Sequence, residues 1–183
     1  HNVDRTRPSL QRIAGPIKLI PNAVELAAVL PWILGTAGAG TPAVVYAVAD
    51  SAILKDVQID RSGGSGLTNK VFSYAGVGID MATFTAAQGD ALSLDLQCVG
   101  KTEAVGSTFP TLTLDTANGP WMLADMTLSI AGTGSIIAKD PVISINNNID
   151  KERFFNSNTL TDIVKQDRQV MFKCSLPLGD HAA

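Results

Sequence analysis

The chain has 183 residues, the usual size of one domain, and its 45% apolar and 17% charged residues exclude a disordered protein. Its net charge of −3, from 14 basic and 17 acidic side chains without a block of like charge, argues against a basic nucleic-acid-binding surface. The mean hydropathy is positive, at +0.18, and few residues are charged. Together these values indicate that some apolar surface is buried against partners.

Residues able to carry catalysis are few and poorly placed. The two histidines, His1 and His181, lie at the chain ends, where an ordered imidazole for a nucleophile or a metal is not expected. Cys98 and Cys174 fall inside alternating apolar runs and are predicted to be small buried hydrophobes that stay reduced. The carboxylates are scattered singly, so we expect no enzyme, no metal and no cofactor.

In chain order, residues 1–10 are predicted to form a polar N-terminal arm and residues 11–183 a single domain. The longest apolar stretch, residues 23–35, contains Glu25 and Pro31 and is shorter than the roughly 20 residues that cross a bilayer, so no membrane is expected. Within it, "NAVELAAVL" predicts one α-helix. Asn22 is its N-cap, Glu25 its capping-box partner, and Pro31 is predicted to end it.

The rest of the chain alternates with a period of two, which is typical of half-buried strands. Weaker alternation predicts strands at residues 53–60, 76–85, 122–130 and 135–145. The strongest alternation is in "DALSLDLQCVG". Its apolar side chains are predicted to face the core, and Ser93, Asp95 and Gln97 to face away. The same reasoning places four side chains near the C-terminus on an inward face: Val170, Phe172, Cys174 and Leu176. Turns at "RSGGSG", "QGD" and "AGTG" then predict an antiparallel meander.

Three local motifs have a structural and a functional interpretation. In "ISINNNID" the asparagines look like oxygen ligands for a metal or a sugar, but they also suit the polar end of a strand, and no calcium-loop glycine is present. "RSGGSG" lacks the lysine and hydroxyl of a phosphate loop and is predicted to be a turn. Trp32 and Trp121 suit either a sugar-stacking platform or packing, and packing is favoured.

The order of these pieces carries more information than any one motif. "IAGPIKLIPNAVELAAVLPWILG" is followed by a strand ending in "IDR", then "VFSYAGVGIDMATFTAAQGDALSLDLQCVGK", "DMTLSIAG" and "VISINNNID". This succession, over about residues 11 to 178, resembles the tail tube proteins, also called major tail proteins, of long-tailed bacteriophages. The family motifs that match are strand ends and turns: a strand leading into a helix, a "Y-x-G" before a "GD" turn, and a strand running into "NN".

The resemblance implies a mainly β fold, an antiparallel β-sandwich or barrel with one flanking α-helix. It implies a structural protein of the virion, made in the host cytoplasm, whose hexameric rings stack into a tube that delivers DNA. Its expected partners are further copies of itself, the terminator, tape measure and tail tip proteins, and genomic DNA passing without sequence-specific binding. A lumen over which DNA slides should lack basic patches, so Ser93, Asp95 and Gln97 are the candidate lumen-facing residues.

The same interpretation assigns polar, turn-rich stretches to subunit contacts. Residues 1–10, 60–70 and 101–121 are predicted to be arms or loops that order on assembly. The candidate inter-subunit residues are Arg5, Arg7, Arg61, Phe109, Trp121, Asn147 and Asn148. Two alternatives stay open: a β-sandwich binding module, for example for carbohydrate, and another ring-forming virion protein such as a tail terminator.

Overall fold

The computed structural model describes residues 10–40, 49, 52–61, 70–106, 111, 117–130, 133–136 and 138–176. These residues form a mainly β protein with one α-helix, as predicted. In chain order the elements are β1 (Ile13–Leu19), α1 (Ala23–Leu34), β2 (Lys55–Arg61), β3 (Lys70–Thr85), β4 (Ser93–Gly100), β5 (Thr102–Gly106), a one-turn 3-10 helix (Leu123–Asp125), β6 (Leu128–Ile130), β7 (Thr133–Ile136), β8 (Lys139–Asn146) and β9 (Gln169–Ser175).

Strand β3 organises the sheet because it is 16 residues long and pairs with different strands along its two halves. Its second half lies between β4 and β8 in the strand order β1-β4-β3-β8-β9, and its first half lies between β2 and β5. All of these pairs are antiparallel. The sheet is open, which fits the sandwich form of the predicted fold rather than a closed barrel.

The change of partners in β3 occurs at a local bend. Gly76 has a φ of +62°, a left-handed conformation that favours glycine, and its amide donates to the Asp56 carboxylate at 3.0 Å. A bulge follows at Asp80, between the paired residues Ile79 and Met81. Because the bulge adds one residue, Ile79 and Ala82 both face the core despite their spacing of three.

Helix α1 has the predicted N-terminus and a different C-terminus. The Glu25 amide donates to the Asn22 side chain at 2.9 Å, and the Asn22 amide donates to the Glu25 carboxylate at 3.0 Å, so the capping box is confirmed. The prediction that Pro31 ends the helix is wrong: α1 continues to Leu34 and ends at Gly35 in the left-handed conformation. The extra turn buries Trp32, Ile33 and Leu34, and that apolar burial offsets the hydrogen bond lost at the proline.

The main core lies between α1 and one face of the sheet. It includes the alternate residues Leu92, Leu94, Leu96 and Cys98, so the predicted inward face of this run is confirmed. Trp32 is also buried there and donates its indole N–H to the Val77 carbonyl at 2.8 Å. A smaller cluster packs beneath the segment that connects β8 with β9, and it consists of Val99, Ile149, Leu160 and Ile163.

Two predicted strands and one predicted loop need correction. Residues 122–130 contain the 3-10 helix as well as β6, because the Asp125 carboxylate accepts from the Met122 amide at 2.9 Å and closes a turn. Residues 135–145 divide between β7, which pairs with β6, and β8, which pairs with β3 and β9. The predicted loop 101–121 begins as strand β5. This strand follows β4 in the chain and pairs with the first half of β3.

Candidate functional site: the polar sheet face and strand β9

The sheet face that points away from α1 carries a row of polar side chains on β1, β4, β3 and β8, and the row ends at Met171 on β9. The register aligns Lys18 with Asp95, Asp95 with Thr83, Thr83 with Ser144, and Ser144 with Met171. Lys18 Nζ lies 3.4 Å from Asp95 Oδ1, and the hydroxyl oxygens of Thr83 and Ser144 are 3.5 Å apart. These contacts are exposed or half-exposed, so they add little stability and leave a hydrated surface.

Ser93 and Gln97 lie on this face with Asp95. Ser93 is aligned with Thr85, and Gln97 with Met81, on either side of the Asp95 row. The three residues singled out as lumen candidates therefore share one surface with polar side chains of β3 and β8. The sequence pattern identified only the β4 part of this surface, because neighbouring strands could not be assigned without the register.

Strand β9 lies at one edge of the sheet, and within the part of the chain that the structure describes it pairs only with β8. Val170 and Phe172 are aligned with Ile145 and Ile143, so they continue the core-facing side of the sheet. Yet Ile145 is 7% exposed, whereas Val170 is 61% and Phe172 42% exposed. The prediction of an inward face is right about direction and wrong about burial, because the layer that covers β8 does not extend over β9.

Asn147 is corrected from a subunit contact to an interior residue. Its side chain is fully buried, and its amide nitrogen donates to the carbonyls of Ile33 at 3.1 Å and Ile79 at 2.8 Å. Asn146 and Asn148 form the turn around it, since the Asn148 amide donates to the Asn146 side chain at 3.0 Å and Asn148 has a φ of +45°. The interpretation of "ISINNNID" as the polar end of a strand is confirmed, because β8 ends at Asn146. A role for Asn148 between subunits stays a prediction.

Two basic residues join Asn147 at the C-terminus of α1, and sequence reasoning missed both. Lys165 Nζ donates to the Ile33 carbonyl at 3.0 Å, and Arg168 donates to Asn147 Oδ1 at 2.6 Å and to the Leu34 carbonyl at 3.3 Å. Cations suit this position because the last carbonyls of a helix carry partial negative charge. Burial, with a smaller effect from Arg168, lowers the pKa of Lys165 to about 8.

The other predicted contact residues are placed as follows. Trp121 packs partly buried against the main core, and its backbone carbonyl accepts from the Leu92 amide at 2.7 Å. Arg61 is the last residue of β2. Arg5, Arg7 and Phe109 lie outside the described residues, together with most of "RSGGSG". A joint sugar platform of Trp32 and Trp121 is not formed, because Trp32 is buried.

A cleft of about 370 Å³ lies between β1 and the part of the sheet formed by β2, β3 and β5, and its lining residues include Arg12, Cys98 and Glu103. Burial raises the pKa of the Cys98 thiol to about 11, so it remains protonated and a weak nucleophile at neutral pH. Cys98 and Cys174 are both free thiols; Cys98 is buried as predicted, whereas Cys174 is only partly buried, because it lies on the poorly covered strand β9. Among the described residues, no group of three or more His, Cys, Asp or Glu side chains is arranged to hold a metal ion. None of the helices described here is long and apolar enough to span a membrane.

An open sheet with one polar face, one helix-covered face and an apolar edge strand is the surface pattern of a structural β protein that assembles with other chains. Comparison with known proteins agrees with this class. The family described as phage tail tube protein matches residues 2–182, nearly the whole sequence, and the chain belongs to that family. A search of curated proteins gave no match. The family implies a location in the virion tail and assembly with itself and with other tail proteins.

Proposed function

We propose that the protein forms hexameric rings that stack into the tail tube through which phage DNA is delivered. The observation that supports this most strongly is the two-faced open sheet, because a ring subunit needs one surface for the channel, one for its own core and an edge for its neighbour. The protein acts as a structural component and needs neither catalysis nor a cofactor. It is made in the host cytoplasm and joins the terminator, tape measure and tail tip proteins in the assembled tail.

In this proposal the polar face of the sheet lines the channel. Asp95 and its neighbours Ser93, Gln97, Thr83 and Ser144 present carboxylate, hydroxyl and amide groups to the passing DNA. On this face Lys18 of β1 is paired with the Asp95 carboxylate, and Lys173 of β9, aligned with Val142, adds a further positive charge. Such a surface attracts phosphates weakly, so DNA can slide without being held.

The remaining predicted segments are proposed to connect neighbouring rings. The arm at residues 1–10, with Arg5 and Arg7, precedes the domain formed by residues 11–183. Residues 107–121, which contain Phe109, follow β5 in the sequence. Arg61 and Asn148 belong to the same group of proposed contacts. Ordering such segments costs roughly 1–2 kcal/mol per residue, which apolar contacts to the next ring must offset.

Negative-stain electron microscopy and light scattering of the purified chain test this proposal. We expect rings or stacked tubes whose proportion rises with protein concentration. A shortened variant lacking residues 108–116 keeps β5 and Trp121 and should still form rings, but these rings should not stack. Monomers at all concentrations that bind a glycan array would instead support the β-sandwich binding module.

A further inference from the structure

Two exposed apolar patches lie at opposite edges of the same sheet. The first, the β9 strip, consists of Val170 and Phe172 on the core-facing side of β9, and the exposed Leu176 follows it. The second, the β1–α1 corner, consists of Ile20 and Val24, which are 63% and 55% exposed where β1 leads into α1. Each patch groups exposed branched or aromatic side chains, and grouped apolar side chains on a surface mark interaction sites.

We propose that the β9 strip of one copy packs against the β1–α1 corner of the next copy, head to tail. This inference rests on the proposed function and specifies which surfaces make the ring contact. Two different patches at opposite edges are what a head-to-tail interface needs, whereas a two-fold interface would use one patch on both partners. A second copy is therefore the occupant that this arrangement favours, and the family implies assembly with itself.

Strand direction favours contact through side chains over contact through backbone alone. Successive antiparallel pairing along β1-β4-β3-β8-β9 makes β1 and β9 run in the same direction. A direct backbone join between the edges of two copies would therefore be a parallel pair in an otherwise antiparallel sheet, and parallel pairing is slightly less stable per residue. Backbone pairing alone would leave the side chains of the β9 strip exposed. Packing these side chains against the next copy adds the apolar contact.

The higher exposure of the β9 side chains, compared with those of β8, also indicates which side of β9 a second copy would cover. Phe172 and its neighbour Met171 are both exposed and point to opposite sides of the strand. Phe172 continues the apolar layer beneath α1, and Met171 continues the polar row of Ser144 and Thr83. Packing against a second copy extends the apolar layer from one subunit to the next and leaves Met171 on the polar face.

Cross-linking with a flexible bismaleimide tests the pairing. All variants carry Cys174→Ser, which removes the thiol nearest the strip, and the test variant adds Val24→Cys and Val170→Cys. We expect a ladder of covalent oligomers ending at the ring size, while Val24→Cys or Val170→Cys alone gives essentially none. A dimer from Val170→Cys alone would overturn the inference in favour of a two-fold contact.

A matched pair of charge substitutions gives an independent readout. Phe172→Asp should reduce ring formation at least tenfold in the protein concentration required, and Met171→Asp on the other side of the same strand should leave it nearly unchanged. Val24→Asp should act like Phe172→Asp, while Val105→Asp, at an exposed apolar position on β5, should not. Rings that form without the Val24–Val170 cross-link would overturn the interface but leave the tube function standing. A wild-type chain that never forms rings would refute both.

Discussion

At the scale of single residues, Asn147 holds three parts of the subunit together. Its side chain bonds to the end of α1 through Ile33, to β3 through Ile79 and to Arg168 before β9. Replacing it with alanine leaves buried polar groups without their partner, and each such group costs about 1–3 kcal/mol. We therefore predict that Asn147→Ala lowers the free energy of unfolding by at least that amount in urea titrations. Asn158→Ala, at an exposed asparagine of the segment between β8 and β9, is the control and should cost much less; equal losses would contradict the role of Asn147.

Lys165 gives stability a pH dependence that can be isolated. Its pKa is about 8 in the folded protein and 10.5 in the ordinary side chain, so the unfolded chain binds the proton more tightly. Stability therefore rises as the pH increases from about 8 to 10.5 and the cost of the buried charge is relieved. Cys98 acts in the opposite sense, because its raised pKa removes stability between about 9 and 11.

Comparing wild type with Lys165→Met separates these two effects, since Cys98 is common to both proteins. We predict that the difference in the free energy of unfolding, wild type minus variant, becomes more favourable to wild type between pH 8 and 10.5. Urea titrations at several pH values measure it. A difference that does not change over this range would show that Lys165 is not desolvated as the structure indicates.

Residue-level prediction from the sequence succeeded where side chains follow a strict period. Alternation in β4 placed Leu94, Leu96 and Cys98 inward and Ser93, Asp95 and Gln97 on the opposite face. It failed at Asn147, where a polar residue type indicates exposure but the partners come from Ile33, Ile79 and Arg168, all distant in the sequence. Hydrogen-bond partners supplied by distant segments leave no local pattern.

At the scale of the elements, the bend in β3 depends on Gly76. An alanine there would keep a φ of +62°, which costs L-residues roughly 1–2 kcal/mol, and its Cβ would lie 3.0 Å from the Lys101 side chain. We predict that Gly76→Ala lowers the free energy of unfolding by about that amount. Gly15→Ala is the matched control, because a Cβ at Gly15 meets nothing within 4 Å. Equal stability of the two variants would show that the bend does not need glycine.

The elements were predictable in kind and less so in extent. The capping box fixed the start of α1, but Pro31 misled about its end because burial of Trp32 and Ile33 outweighs one lost hydrogen bond. Strand β3 begins at Lys70, before the predicted residue 76, and its two sets of partners cannot be deduced from alternation. For β9 the alternation correctly predicted which side chains point to the core side of the sheet. Alternation cannot show whether another layer of the protein covers that side.

For the whole molecule, we predict that the charge of the polar face controls DNA retention. Asp95→Lys would place a positive charge from every subunit around the proposed lumen and bind phosphates. We expect tubes of this variant to retain double-stranded DNA fragments in low-salt sedimentation and to release them as salt increases, whereas wild-type tubes retain little. Glu103→Lys makes the same charge change on β5. Equal retention by both variants would contradict the placement of Asp95 in the lumen.

The chain is proposed to form a tube whose channel is lined by the sheet face opposite α1. Cryo-electron microscopy of tubes grown from the purified protein tests it most directly, because a helical reconstruction shows which face points to the axis. We expect Ser93, Asp95 and Gln97 at the channel surface and α1 on the outer side of the sheet. A reconstruction with α1 lining the channel, or with the Asp95 face buried between subunits, would contradict it.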